Sequence, residues 1–226
     1  MNKIVIVKNL EDLEKLRKYT NVDKLTIFLL NDIYFEEGYY HLPIELKNTD
    51  VIIYGLYNGI YNLKVNNKTI NNAGLFGSVK NLYVKNLKMS NVKITANEIN
   101  GVIAGRVNED VVVDGVELDS LITSEAVSGG VVGTCNNIAV RNSRIFTTIS
   151  GRGVLGGLAG IADKYEMKNT FLKVSFQPRY KNKNENILID RYVGYLGERE
   201  NARVMALTEE VNEYLEQHNY QRKMWM

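Results

Sequence analysis

Asp110, Asp114, Glu117 and Asp119 lie close enough in sequence to suggest a divalent-cation site. Carboxylates in such a set hold calcium through hard oxygen ligands, and a neighbouring basic residue can then abstract a proton from an acidic sugar. Asp114 falls in a recurring Asn/Asp column, so a structural role is the simpler reading of it. Arg141, Arg144 and Arg152, with Arg106 upstream, form a second cluster. They read either as a shallow basic strip for an acidic partner or as a solvated face. Cys135 occupies a position filled by valine or alanine elsewhere in the chain, which predicts a core thiol and no nucleophile. The two histidines, His41 and His218, have no matching serine, cysteine or aspartate signature around them. No catalytic residues, metal ligands or cofactor are therefore predicted.

Tyrosine is the remaining chemistry. Fourteen are present, and Tyr34, Tyr39, Tyr40, Tyr54, Tyr57 and Tyr61 crowd toward the N-terminal end. Tyrosine offers an apolar ring with a polar tip, which suits interfaces and sugar stacking. Tyr39, Tyr40 and Tyr57 flank turn-like residues and are the exposed binding candidates. Trp225, within the apolar Met224-Trp225-Met226, is a further candidate for docking on the chain itself or on a partner.

What positions these residues is a repeat. Gly77, Gly105, Gly133 and Gly160 recur at intervals of 28, 28 and 27 residues. Two positions before each stand Leu75, Ile103, Val131 and Leu158, and four before stand Ala73, Gly101, Gly129 and Gly156. Two after stand Val79, Val107, Cys135 and Ala162. Seven after stand Val84, Val112, Val140 and Met167; nine after stand Asn86, Asp114, Asn142 and Asn169. Apolar residues alternate around each anchor, and the segments are rich in glycine and β-branched residues, which opposes helix. The glycines predict close backbone approach, and the Asn/Asp column predicts tight corners or a ladder of stacked amides. One such repeat cannot bury its apolar face alone, so the coils must stack. Residues from about 50 to 175 thus predict a parallel β-helix, an all-β fold.

The segments 72–77 (Asn-Ala-Gly-Leu-Phe-Gly), 128–133 (Ser-Gly-Gly-Val-Val-Gly) and 155–160 (Leu-Gly-Gly-Leu-Ala-Gly) resemble the GLUG repeat of bacterial surface proteins. The stretch upstream, with Leu10-Glu11-Asp12-Leu13, Ile53-Tyr54-Gly55 and Asn58-Gly59-Ile60, is similar to the lead-in of such arrays. The resemblance spans about residues 1–162. It implies a right-handed β-helix used as a scaffold by adhesins and large secreted proteins that bind and do not catalyse, and it carries over no catalytic residue.

Both ends of the array read as capped. Asn9 with Asp12, followed by Leu10, Leu13 and Leu16, predicts a helix over 10–18. Thr208 with Glu209 and Glu210, followed by Val211, Tyr214, Leu215 and His218, predicts one over 207–218 that caps the last coil or joins a second subunit. The chain then divides as 1–48, N-terminal capping helix and first strands; 49–176, the β-helix; and 177–226, a loop, a degenerate last coil anchored by Gly197, and the C-terminal helix, all in one continuous domain.

Composition sets limits on function. The 226 residues carry a formal net charge of +2, with 45% hydrophobic residues and one cysteine. That charge is no footprint for nucleic acid, and one cysteine makes no disulfide. The N-terminal apolar run, Ile4 to Val7, is shorter than the roughly 7–15 residues of a secretory h-region. The expectation is a cytoplasmic, non-enzymatic protein-binding module with another protein as partner, an inhibitor of a larger host machine by analogy with phage and mobile-element proteins. The alternative is an adhesin-like or carbohydrate-binding β-helix fragment of a secreted protein.

Overall fold

Leu118, Ser120, Ile122 and Ser124 turn inward, while Glu117, Asp119 and Leu121 face solvent. That period of two is the rule for a strand with one buried face, and it recurs coil after coil. A computed structural model describes residues 1–180 and 187–196, and in it the chain winds as a parallel β-solenoid of about six turns.

Three sheets form its sides. The first runs through Asn2–Val7, Lys24–Leu29, Ile44–Tyr54 and Phe76–Lys85. It then continues as bent pairs: Ala104–Val107 with Asp110–Asp114, Val132–Thr134 with Asn137–Arg141, and Ala159–Ala162 with Lys164–Lys168, before Val193–Leu196. The second holds Ile33–Tyr34, Gly59–Tyr61, Lys64–Asn67, Lys88–Ala96, Glu117–Ser124, Arg144–Gly151 and Phe171–Pro178. The third is short, with Asn72–Ala73, Ile99–Gly101, Val127–Gly129, Val154–Gly156 and Leu188–Asp190. One apolar core, from Val7 through Phe35, Phe76, Ile122 and Ile149 to Val193, fills the space between them.

The pairing register is the sequence repeat. Phe76, Ala104, Val132 and Ala159 are successive partners, one residue before each glycine anchor. The anchors lie where the chain leaves the third sheet and turns back along the first. There the two sheets meet backbone to backbone. A Cβ on Gly133 would stand 2.5 Å from the Gly105 carbonyl and 3.0 Å from the Asn100 nitrogen. Cys135 is buried in this seam region, and burial, with Asp110 and Asp163 adding, pushes its thiol well above the ordinary range.

Two columns need correction. Val107 pairs with Val79, 28 residues back, but Val111 pairs with Leu82, 29 back. One extra residue at the Asn108–Glu109 bend shifts the rest of that coil. Val113, not Val112, therefore joins Val84 and Val140 in the core, and Val112 faces outward. A shift of one exchanges the two faces of a strand. The same shift moves the corner. The left-handed residues are Asn86, Gly115, Asn142 and Asn169, so Asp114 is not in that column. Asp114 instead accepts a bond from the Asn142 amide at 2.8 Å, and Asn169 donates to Asn142 at 3.4 Å. At φ +50 Asn142 is a position for asparagine or glycine. Asn142→Gly is expected to be close to neutral and Asn142→Ala to cost about 1 kcal/mol in urea denaturation.

The ends also differ in detail from expectation. Asn2–Val7 and Lys24–Leu29 already pair in parallel, so the array begins well before residue 49. The predicted helix lies between them, as an α-helix over Leu10–Glu14 and a 3₁₀ turn over Lys15–Lys18. Asn9 caps it, accepting from the Asp12 amide at 2.9 Å, and Leu13 and Leu16 close the end of the core. In the last described coil Ala159 pairs with Val193, which aligns Gly194 with the anchors and not Gly197. Gly197, the stretch 207–218 for which a helix with His218 is predicted, the 181–186 part of the predicted loop, and Trp225 lie outside the described residues.

Candidate binding face

The first sheet begins with strands that are apolar on both faces. Ile4, Val5, Ile6 and Val7 are consecutive, as are Val51, Ile52, Ile53 and Tyr54. Burial of one parity leaves the other outside. Val7, Leu25, Ile27, Val51 and Ile53 turn to the core. Ile4, Thr26, Ile52 and Tyr83 form one outward row, and Ile6, Phe28 and Tyr54 the next. Ile4 is 68% exposed and Ile6 51%. The Phe28 and Tyr54 rings stack at 5.1 Å, and Tyr83 meets Tyr54 edge-on at 6.1 Å. Leu30 and Leu56, just past the strand ends, are exposed beside them.

Polar groups border this face. On one flank Asn81 donates to Asp50 at 2.9 Å and to Glu109 at 2.7 Å, bridging three coils. Toward the later coils the second row continues as Lys85, Asp114 and Arg141, and Arg141 reaches Glu166 at 3.1 Å. A flat apolar patch with a polar rim is the pattern of a protein interface.

The predicted site residues are dispersed. Tyr57 stands at the rim of the apolar face, 84% exposed and at φ +67. Tyr39 and Tyr40 belong to the segment before Ile44 that takes the third sheet's place in the coil that starts with Lys24–Leu29, so the three do not form one patch. Tyr39 packs on Phe35 at 5.6 Å; burial and the nearby Glu14 carboxylate raise its phenol above the ordinary value. The arginines do not make one strip. Arg141 ends a strand of the first sheet, Arg144 opens one of the second, and Arg152 lies at the corner toward the third. Each has a carboxylate partner: Glu166, Glu117 at 3.8 Å and Glu125 at 3.4 Å. The acidic cluster is divided too, with Asp110 and Asp114 on the first sheet and Glu117 and Asp119 on the second. Among the described residues no set of three or more His, Cys, Asp or Glu could hold a metal ion.

His41 is the functional-looking residue that sequence spacing did not explain. It is fully buried, with Nδ1 3.0 Å from Glu14 Oε1 and Nε2 2.9 Å from the Leu75 carbonyl. Arg17 binds Glu14 at 2.7 Å and donates to the carbonyls of Leu42 and Pro43. The network ties the N-terminal helix to the loop that carries Tyr39 and Tyr40.

The two outward rows that hold Ile4 and Ile52, and Ile6, Phe28 and Tyr54, are not among the residues the sequence pointed to. The signal for them is the unbroken apolar run, which marks a strand apolar on both faces. No helix among the described residues is long and apolar enough to cross a membrane. No protein family, no curated protein and no solved structure matches the chain.

Proposed function

We propose that this chain is a non-enzymatic protein-binding module, and that it engages its partner through the outer face of the first strands of the first sheet. The observation that carries the reading is two neighbouring outward rows on a rigid sheet, one with Ile4 and Ile52 and one with Ile6, Phe28 and Tyr54, in which Ile4 and Ile6 are exposed and Phe28, Ile52 and Tyr54 half-buried. The parallel ladder fixes these side chains at coil spacing, so little ordering entropy opposes association. The stacked Phe28–Tyr54 pair supplies the central aromatic anchor that interfaces favour. The GLUG-type resemblance supports the same reading, because in such arrays the repeat is scaffold. Covering an essential surface of a larger machine would suffice for inhibition, with no chemistry required.

The test is a pull-down comparison between the natural chain and the double variant Ile52→Lys/Tyr54→Lys. Both positions face outward, so melting temperature is expected to stay within a few degrees. The natural chain is expected to retain one stoichiometric protein that the variant loses, with affinity lower by about 100-fold. A variant that keeps the partner at equal affinity overturns the assignment.

A further inference from the structure

The second sheet has an outer face of different chemistry. Its outward side chains run as Tyr34, Tyr61 and Ser90 in three coils and as Asp119, Phe146 and Lys173 in the next three, with a one-residue register shift between Ser90 and Asp119. Beside them run Lys88, Glu117, Arg144 and Phe171. At one end Tyr34 and Tyr61 stack at 4.8 Å with their planes 12° apart. At the other Phe146 and Phe171 lie 5.5 Å apart, both exposed. Between the aromatic pairs is a shallow groove of about 300 Å³, lined by Lys88, Glu117, Asp119 and Arg144. Its ion pairs are loose: Glu117 is 4.0 Å from Lys88 and 3.8 Å from Arg144. Exposed pairs of this kind contribute little to stability and are free to re-pair with a ligand.

We propose that this strip binds a linear acidic polysaccharide lying along the solenoid axis, one sugar to each coil. Coils in a parallel ladder repeat every ~4.8 Å, and an extended chain of pyranoses advances by a similar step. The aromatic pairs present flat apolar faces to the C–H faces of sugar rings. The charge balance selects an acidic chain: Lys64, Lys88, Lys93, Arg144 and Lys173 face outward on this sheet against Glu117 and Asp119. Arg144 suits a planar carboxylate, which it can bind through two parallel bonds. Glu117 and Asp119 decide between a glycan and a nucleic acid. Sugar hydroxyls need acceptors, and these carboxylates provide them at the centre of the groove. A phosphodiester chain has few donors to offer these acceptors. The site uses a different sheet from the proposed protein interface and does not depend on it.

The experiment is calorimetric titration of the full chain with oligogalacturonates of increasing length. Affinity is expected to rise with length and level off near six sugars, the number of coils in the strip. Tyr61→Ala and Phe146→Ala are each expected to weaken binding about tenfold, one lost stacking contact apiece. Arg144→Gln is expected to weaken it by a similar factor, while an uncharged cello-oligosaccharide of equal length binds more weakly than the acidic one. The Ile52→Lys/Tyr54→Lys variant is expected to bind the glycan unchanged, which separates this result from the protein-binding test. No binding of any oligogalacturonate by the folded chain overturns the proposal. So does binding of oligo-dT at equal affinity, or affinity unchanged in all three variants.

Discussion

Gly129→Ala is expected to destabilise the chain by about 3 kcal/mol, although it adds only one methyl group. The added carbon would meet the Val132 carbonyl, the Ala159 Cα at 2.6 Å and the Gly160 nitrogen at 2.7 Å. All three are backbone atoms, and two belong to the next coil. A flexible side chain could swing away from a new methyl; hydrogen-bonded backbone in a parallel ladder cannot. Relief requires moving the third sheet away from the first, which opens the packing of Val127 and Val154 as well. Urea denaturation followed by far-ultraviolet dichroism measures the effect. As a control, Ser150→Ala on the outer face of the second sheet is expected to stay within about 0.5 kcal/mol. A Gly129→Ala chain as stable as that control would mean that the two sheets are not held together through a glycine seam.

Glu14→Gln is expected to cost about 2 kcal/mol at neutral pH and to remove a specific part of the acid sensitivity. Burial alone would raise the Glu14 carboxyl. Hydrogen bonds from His41 and Arg17, with their positive charges, outweigh burial and bring it from the ordinary 4.5 down to about 2. The folded carboxylate thus holds no proton at pH values where the unfolded one does. Its contribution is complete above the unfolded value and is lost as pH falls toward the folded one. The stability gap between the natural chain and Glu14→Gln should therefore be constant above about pH 5 and narrow steadily toward pH 2. Denaturation midpoints at a series of pH values test it. A gap that does not change with pH would remove Glu14 as the titrating group. Loss of the carboxylate also leaves His41 Nδ1 buried against a weaker acceptor, so the helix over Leu10–Glu14 is expected to loosen first.

The division between sequence and tertiary structure follows from what each feature depends on. The solenoid was legible because its cause is local and repeated. Gly77, Gly105, Gly133 and Gly160 report one backbone constraint four times, and the register pairs the residues beside them in the same order. The N-terminal helix was legible for the same reason, since Asn9, Asp12, Leu13 and Leu16 state its cap and its buried side within a few residues. Cys135 was placed in the core by its column alone. The bend at Asn108–Glu109 was not legible, because one inserted residue leaves the apolar pattern intact. Val112 and Val113 are identical side chains, and only pairing with Leu82 and Val84 decides which of them is inside. The binding faces also required the fold. Arg141 and Arg144 are three residues apart and look like one cluster, yet a corner between them sends the two to different sheets. Tyr61 and Phe146 are far apart in sequence, yet stacking of coils places them on one strip. His41 acquires its partners only when the chain brings Glu14 and the Leu75 carbonyl to its two ring nitrogens. Periodicity along the chain determined the coil. What each coil shows to solvent depends on a register between coils, and that register is set by long-range pairing that no local pattern encodes.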